Sequence, residues 1–239
     1  MKPSQTDTNP QGEHPRRNGP GRARDRRSVM RLAVLGATGS VGREIVAQAL
    51  AAGHQVTALV RHAPSPGQID DRVTLVVGDV TDFDAVSRAV KGNEAVISAL
   101  GHVKGAPDDV LARGTANVIA AMRANGVSRL VVLSSAAVDD AEDEPGLRYH
   151  AGLALMRVAI GSVVHDHREQ ARLLEESGLD WTLVRGPIVF TDGPHTGHYH
   201  AGPIGQESGP CISRADLADF MLTTSTNGDF VHMKPLVSA

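Results

Sequence analysis

The chain has 239 residues, 41% of them apolar, which is enough for one α/β domain with an appendage. Its single cysteine, Cys211, excludes a disulfide framework within the chain and favours a reducing, cytoplasmic setting. The formal net charge of -3 points to no special partner, so neither a nucleic acid nor a membrane is expected to bind.

The first 29 residues form a basic arm. They hold seven Lys and Arg against three Asp and Glu, a local charge of 7 - 3 = +4, together with four prolines and few apolar residues. Such a segment cannot bury enough surface to fold, so we predict disorder over 1–29 and one domain over 30–239. Met30 is an alternative start, which would make the arm dispensable. A tether to nucleic acid or membrane and a twin-arginine export signal are the less favoured interpretations.

From residue 31 onward, short runs rich in Val and Leu alternate with amphipathic segments. The runs are typical of strands buried on both faces, and we predict strands at 31–35, 55–60, 73–77, 95–99, 130–133 and 182–184. We predict helices at 39–52, 82–90, 108–125 and 163–177. This order predicts an α/β fold with a single Rossmann-like, doubly wound parallel sheet, which binds ligands at the carboxyl ends of its strands.

A glycine-rich turn follows the first predicted strand. It consists of Gly36, Ala37, Thr38, Gly39, Ser40, Val41 and Gly42. A strand, a tight turn and a helix start bring backbone N–H groups and the positive end of a helix dipole together, where a pyrophosphate binds. Gly36 permits the turn, Gly39 lets the backbone approach the phosphates, and Gly42 lets the helix pack closely. The spacing G-x-x-G-x-x-G resembles that of extended and atypical short-chain dehydrogenases.

Residues after the next three strands complete a predicted cofactor site. An NAD-specific site usually has an acidic residue after the second strand, but this chain has Arg61 there and no acidic residue before Asp70. A guanidinium matches a 2′-phosphate, so NADPH is the expected cofactor. After the third strand, Asp79 can accept a hydrogen bond from the adenine amino group and Val80 can pack on the ring. Small residues after the fourth strand let the backbone pass close to the cofactor. These are Ala99, Leu100 and Gly101.

In chain order, these features resemble the NmrA-like, atypical short-chain dehydrogenase family. The resemblance rests on the glycine turn, on Val60-Arg61, on Gly78-Asp79-Val80, and on Gly126-Val127 leading to Leu133-Ser134-Ser135. Within that family, the stretches 166–179, 196–199 and 212–222 are similar to the flavin reductase (biliverdin-IXβ reductase) group. The resemblance implies an NADPH-dependent oxidoreductase that transfers hydride to a planar conjugated small-molecule acceptor: a flavin, a quinone or a polyketide-like ketone.

The residues expected to support catalysis depart from the usual pattern. Classical short-chain dehydrogenases use a Tyr with a Lys four residues later, whereas Tyr149 is followed at that spacing by Leu153. The resemblance implies that Ser134 and Ser135 orient the nicotinamide and the acceptor, with Ser135 matching the family's active-site serine and the proton coming from solvent. Tyr149 stays a candidate donor from another arrangement. Alternatively, the two serine hydroxyls only cap nearby backbone. Three further side chains that could contact the acceptor or supply a proton are His150, His167 and Tyr199.

The acceptor side is expected to be unusual. Residues 185–188 should line the nicotinamide, with Pro187 shaping the loop, but Ile188 stands where the flavin reductases carry a histidine. The acidic run at 139–144 is expected to be a solvated loop. The glycine-rich loop with His195, His198 and His200 is interpreted as a mobile lid rather than a metal site, and no metal is expected.

Two other classes of function remain open from the sequence. The first is a non-catalytic NADP-binding redox sensor of the NmrA type, which the missing Tyr–Lys pair suits. The second is an isomerase or epimerase that uses bound cofactor without net turnover. The resemblance over 166–222 favours the reductase.

Overall fold

The computed structural model describes residues 29–65, 67–103, 105–146, 161–205 and 208–239. Within them, the strands are β1 (Arg31–Leu35), β2 (Gln55–Val60), β3 (Thr74–Val77), β4 (Ala95–Ser98), β5 (Arg129–Ser135), β6 (Asp180–Gly186), β7 (Val189–Thr191), β8 (His200–Gly202), β9 (Cys211–Ser213) and β10 (Leu236–Ser238). The helices are α1 (Ser40–Ala51), α2 (Phe83–Val90), α3 (Val110–Asn125), α4 (Gly161–Glu175) and α5 (Arg214–Asn227). The predicted disorder of the arm concerns residues that, except for Val29, lie outside the described ones.

The predicted α/β fold is confirmed, and the six predicted strands and four predicted helices correspond to β1–β6 and α1–α4. β5 and β6 each begin earlier than the apolar runs suggested, and at the start of β5 the reason is a buried polar side chain. Arg129 donates hydrogen bonds to the carbonyl oxygens of Asp180, Thr224 and Asp229. A buried arginine whose donors are satisfied by carbonyls does not interrupt a strand, but it does interrupt the hydrophobic pattern.

Eight strands form the central sheet in the order β3-β2-β1-β4-β5-β6-β10-β8. All neighbouring pairs are parallel except β10 and β8, which are antiparallel. The chain therefore reverses its winding direction between β1 and β4, and doubly wound sheets bind ligands in the crevice at that point. The glycine turn follows β1, and residues 99–101 follow β4, so both lie at this crevice.

Helices cover both faces of the sheet. One face carries α1 and α5, and its core includes Leu32 and Val34 of β1. The opposite face carries α2, α3 and α4, and its core includes Ala33 and Leu35 of the same strand. Alternate residues of a strand point to opposite faces, which is why the buried part of a central strand such as β1, 32–35, is apolar throughout.

The C-terminal part adds elements that the hydrophobic pattern did not predict. Strands β7 and β9 form a separate parallel pair, and α5 follows β9 directly. Ser213 caps α5, since its hydroxyl accepts from the backbone N–H of Asp216. The strands β7, β8, β9 and β10 have three residues each, which is too short for a periodic hydrophobic signal. No helix in the described parts of the chain has both the length and the apolar character needed to cross a membrane.

Candidate cofactor and acceptor site

The glycine turn places unpaired backbone donors at the start of α1. Gly36 has a φ of 79°, a conformation that glycine adopts without strain, and its carbonyl accepts from Gly39 N at 2.9 Å. Gly39 is the N-cap of α1 and has no side chain with which to accept from the first N–H groups of the helix. No acidic residue lies in the first turn of α1. The positive end of the helix therefore faces the crevice without a compensating charge, as anion binding requires.

The turn is also too crowded for larger residues. A Cβ added to Gly36 would lie 2.5 Å from the carbonyl oxygen of Ala99, and one added to Gly42 would lie 2.0 Å from the carbonyl oxygen of Gly36. Backbone atoms cannot rotate aside as side chains can. The two glycines therefore allow α1, the turn and the end of β4 to pack together.

A cavity of about 490 Å³ opens at this point, which is within the usual range for a cofactor or ligand site. Nine of the residues predicted to bind cofactor line it: Gly36, Thr38, Gly39, Arg61, Asp79, Val80, Ala99, Leu100 and Gly101. Ser40, Val41 and Gly42 lie behind the turn in α1, outside the lining. A further wall, which the residue patterns did not reveal, is formed by the loop between β4 and α3 and by the first residue of α3. That wall includes Val103, Ala106, Pro107 and Val110.

Arg61 and Asp79 lie on the side of the cavity formed by β2 and β3. Arg61 is exposed directly after β2. The Asp79 carboxylate accepts from Thr81 N at 2.8 Å and from Thr81 Oγ1 at 2.7 Å. Hydrogen bonds from Thr81 lower the pKa of Asp79, and Arg61 and Arg113 lower it further by charge. Asp79 is therefore held as an oriented anion, able to accept a hydrogen bond.

Ser134 and Ser135 end β5 and point to opposite faces of the sheet. Ser135 Oγ accepts from Ala137 N at 3.2 Å, so it has the local backbone role that the sequence left open. Ser134 is buried on the face of α3 and α4, and its Oγ lies 3.0 Å from Nδ1 of His167 in α4. Both serines lie outside the lining of the large cavity. They stand at the end of the strand next to β4, whose end does line it.

The partner of Ser134 belongs to a buried polar group. His102, in the loop before α3, has Nε2 3.0 Å from Oδ2 of Asp166, at an angle that does not make a hydrogen bond. Asp166 instead accepts from Leu111 N and Ala112 N at 2.8 and 2.9 Å. It thereby caps α3 from a different helix, because Asp109 at the N-cap position makes no side-chain cap. Burial lowers the pKa of His167 to about 4, so its imidazole is neutral at neutral pH.

The side chain of Arg185 is turned away from the cofactor crevice. It is fully buried, and Nη1 and Nη2 lie 2.6 and 2.8 Å from the carboxylate of Asp143. The expectation that the acidic run is solvated is therefore wrong for Asp143, because this buried cation holds it. Only the backbone of Arg185 is left to line a cofactor. Pro187 and Ile188 follow β6, with Ile188 48% exposed.

The histidine-rich loop is anchored to α5. The carboxylate of Asp216 accepts from Thr196 N, Gly197 N and Thr196 Oγ1 at 2.7 to 2.9 Å. Tyr199 donates to Asp219 at 2.7 Å. These bonds hold the segment that the sequence suggested as a mobile lid. Burial and the bond to Asp219 raise the pKa of Tyr199, which makes it a poorer proton donor.

Other candidates can be placed only in part. Tyr149 and His150 lie outside the described residues. In the described ranges, no group of three or more His, Cys, Asp and Glu side chains is arranged to hold a metal ion.

Comparison with known proteins agrees with this geometry. A family model described as NAD(P)H-binding matches residues 36–227. The chain belongs to this NAD(P)H-binding family. The resemblance to NmrA-like, atypical short-chain dehydrogenases is thereby confirmed.

Two of the proteins to which this chain is similar are named as reductases. The 3-diazoavenalumate denitrifying reductase of a Streptomyces species is 33% identical over 187 residues, covering 72% of this chain and 60% of that protein. The (4-alkanoyl-5-oxo-2,5-dihydrofuran-3-yl)methyl phosphate reductase of Streptomyces griseus is 33% identical over 161 residues, covering 66% of this chain and 48% of that protein. An uncharacterized protein of Mycobacterium tuberculosis is 31% identical over 163 residues, but the chain spans only 15% of its length.

Solved structures share the fold. ChuY, described as an anaerobillin reductase from Escherichia coli O157:H7, superposes with a TM-score of 0.71 at 24% identity, over 87% of this chain and 96% of that one. A short-chain dehydrogenase/reductase from Veillonella parvula in complex with NADP superposes with a TM-score of 0.69 at 20% identity, over 89% and 95%. At these identities, the similarity shows the fold alone.

Proposed function

We propose that the protein is an NADPH-dependent reductase that transfers hydride to a planar conjugated small molecule. The observation that carries this proposal is that the glycine turn, Arg61 and the end of β4 line one and the same cavity. It lies at the carboxyl edge of the sheet, where a dinucleotide binds in this fold with its phosphates at the start of α1. Relatives named as reductases support hydride transfer as the use of that cofactor.

The preference for NADPH rests on Arg61. Its guanidinium is exposed at the cavity lining directly after β2, where the ribose of a dinucleotide lies in this fold. A guanidinium binds a 2′-phosphate through charge-assisted hydrogen bonds. Oδ1 of Asp79 is engaged by Thr81, and no side-chain hydrogen bond joins Asp79 to Arg61 among the described residues. An NADP-bound structure in the same fold is consistent with this assignment.

The proposed acceptor site lies at the carboxyl ends of β4, β5 and β6. Val103 follows β4 and is 46% exposed, and Ile188 and Val189 follow β6 and are each 48% exposed. These apolar side chains follow the two strands that flank β5, the strand that contains Ser134. Exposed apolar residues at a crevice are typical of a surface that binds an apolar ring. Ile188 replaces the histidine of the flavin reductases, so the acceptor is proposed by class: a flavin, a quinone or a polyketide-like ketone.

An acceptor panel tests the proposal. The purified protein is mixed with NADPH and with FMN, FAD, menadione, other quinones and biliverdin, and NADPH absorbance is followed. We expect oxidation that requires both protein and acceptor. Tight binding of NADPH without oxidation by any acceptor would refute the reductase and favour the non-catalytic redox sensor.

A matched pair of variants shows whether activity uses the cavity. Gly36 and Gly53 both have positive φ, 79° and 85°. A Cβ at Gly36 would strike Ala99 at 2.5 Å, whereas one at Gly53 meets no described atom within 4 Å. Gly36→Ala should therefore abolish NADPH oxidation, and Gly53→Ala should retain it. Equal loss in both variants would mean that backbone strain, rather than the cavity, explains the effect.

A further inference from the structure

Three buried polar side-chain atoms on β4, on the loop before α3 and on α4 have no hydrogen-bond partner among the described residues. They are Ser98 Oγ, His102 Nε2 and Gln170 Oε1. Ser98 ends β4, and the β4–β5 register pairs it with Val132, two residues before Ser134. Gln170 follows His167 by one turn of α4. We call Ser98, His102, Ser134, His167 and Gln170 the polar cluster.

The polar cluster has the composition of a site for ordered water. A buried polar atom without a partner is costly, and native proteins usually satisfy such atoms with a bound water that makes two to four hydrogen bonds. The three atoms belong to β4, to the loop that follows β4 and to α4, and each lacks a partner that a water would supply. The rings of His102 and His167 lie 6.1 Å apart, centre to centre, in an edge-to-face contact, so the two imidazoles are neighbours. The His102 side chain is 18% exposed, whereas the side chain of its neighbour Asp166 is 1% exposed. Of these two residues, His102 is therefore the one in contact with solvent.

His167 is held as a neutral imidazole, the form that can accept a proton at one nitrogen and donate one at the other. Burial lowers its pKa to about 4, and His102 contributes in the same direction, while Gln170 and Asp166 oppose the shift. The charged or titratable groups that face it are His102 from the loop before α3 and Asp166 from its own helix. Ser134 faces it from β5. Because Asp166 is bound by two backbone N–H groups of α3, it does not hold His167 as an imidazolium. A neutral imidazole accepts at one nitrogen and donates at the other.

We propose that Ser134 and His167 form the route by which a proton reaches the reduced acceptor. This inference rests on the proposed function. Hydride brings two electrons and one hydrogen to the acceptor and leaves an anion that needs one proton. Ser134 Oγ gives that proton and takes another from Nδ1 of His167, while Nε2 of His167 takes one from water in the polar cluster. The water is left as hydroxide, which a solvent proton neutralises, so one solvent proton is consumed for each NADPH oxidised. The imidazole stays neutral, no serine alkoxide accumulates, and exchange with solvent returns the proton to Nδ1 before the next turnover.

The other described candidate for a proton donor is less suited to the step. The hydroxyl of Tyr199 already donates to Asp219, and its pKa is raised. His167 acts through Ser134 and does not touch the acceptor, so a loss of activity alone would not distinguish proton transfer from support of the fold. The test therefore needs a measurement that a structural role would leave unchanged.

Chemical rescue provides that measurement. His167→Ala should lower kcat by about 100-fold with the FMN or menadione reaction, as expected for loss of a positioned proton donor. The KM for NADPH should change by less than about twofold, because the phosphate turn and Arg61 are untouched. Added imidazole should restore a large part of kcat in His167→Ala and have no effect on the wild type. His165→Ala is the matched control, since His165 is exposed on the same helix and should leave kcat unchanged.

A second variant covers the case in which His167→Ala fails to fold. Asn at this position can keep the hydrogen bond to Ser134 but cannot relay a proton, so His167→Asn should bind NADPH normally and show the same loss of kcat. Unchanged kcat in either folded variant, or a loss that imidazole does not rescue in His167→Ala, would overturn the proton route alone. Failure of the wild type to oxidise NADPH with any acceptor would overturn the proposed function, and the proton route with it.

Discussion

Replacing Gly42 with alanine tests whether the close approach of α1 to the glycine turn is needed for stability and cofactor binding. Two effects oppose each other. Alanine favours a helix interior over glycine by about 1 kcal/mol. Its Cβ, however, would lie 2.0 Å from the Gly36 carbonyl oxygen, 2.7 Å from the Gly36 carbonyl carbon and 2.9 Å from Ala37 Cα. Restoring a separation of 3.0 Å from the oxygen requires a shift of 3.0 - 2.0 = 1.0 Å between helix and turn.

The steric effect should be the larger one. All three contacts are with backbone, which cannot rotate aside, so we take the upper end of the cost of overpacking, about 3 kcal/mol. The net loss of unfolding free energy is then about 2 kcal/mol, or a Tm lower by about 4–8 °C for a chain of this length. A shift of this size also removes at least one charge-assisted N–H contact to a phosphate. Losing about 1.5–3 kcal/mol of binding energy weakens the Kd for NADPH by about 10- to 150-fold.

The assays are thermal unfolding and NADPH titration by fluorescence. Gly161→Ala is the control: Gly161 is also helical, and a Cβ there meets no described atom within 4 Å. It should be neutral or slightly stabilising and should bind NADPH normally. The steric reasoning would be refuted if Gly42→Ala matched Gly161→Ala in both Tm and Kd.

Three further predictions follow from individual contacts. In titrations, Arg61→Ala should weaken the affinity for NADPH by about tenfold, the low end for an exposed charged contact, and leave the affinity for NADH unchanged. The control Arg72→Ala should change neither affinity. Equal losses for the two cofactors would exclude a contact between Arg61 and the 2′-phosphate. Asp143→Asn should destabilise the fold by about 3–5 kcal/mol in urea unfolding at neutral pH, because it leaves Arg185 buried without its anion. Burial raises the pKa of Asp143, but hydrogen bonds from Arg185 and from a backbone N–H lower it by more, so the net pKa is below its ordinary value. The Arg185–Asp143 pair therefore stabilises the fold above about pH 4, and this contribution disappears on acidification. The pKa of His167 is lowered from 6.5 to about 4, so between these pH values the native state binds fewer protons than the unfolded state. The free energy of unfolding should therefore fall by up to about 3 kcal/mol as the pH drops from 6.5 to 4. His167→Asn should remove this pH dependence.

The sheet and the phosphate turn could be predicted because local rules determine them. The strands from β1 to β6 contain short runs of Val and Leu that the hydrophobic pattern reveals, although buried Arg129 concealed the start of β5. The glycine turn depends on a positive φ at Gly36 and on the absence of a Cβ at Gly42, and both requirements can be recognised in the residue types alone. Position after a strand then places Arg61 and Asp79 at the crevice, where they line the cavity.

The roles of the polar side chains on the acceptor side depended on partners far away in the chain. Arg185 looked like a residue of the site, but Asp143, 42 residues earlier, binds its guanidinium in the core. His167 could not be ranked among the histidines until the fold brought it to Ser134, 33 residues away.

What the sequence determined by itself is the NAD(P)H-binding frame: an alternation of strands and helices with a phosphate turn at its first crossover. What only the tertiary structure decided is which polar groups are buried together, such as Asp166 at the start of α3. The physical reason is the distance along the chain over which each property is determined. Backbone conformation and hydrophobic period are properties of neighbouring residues, whereas desolvation and hydrogen-bond partners depend on the whole packed fold.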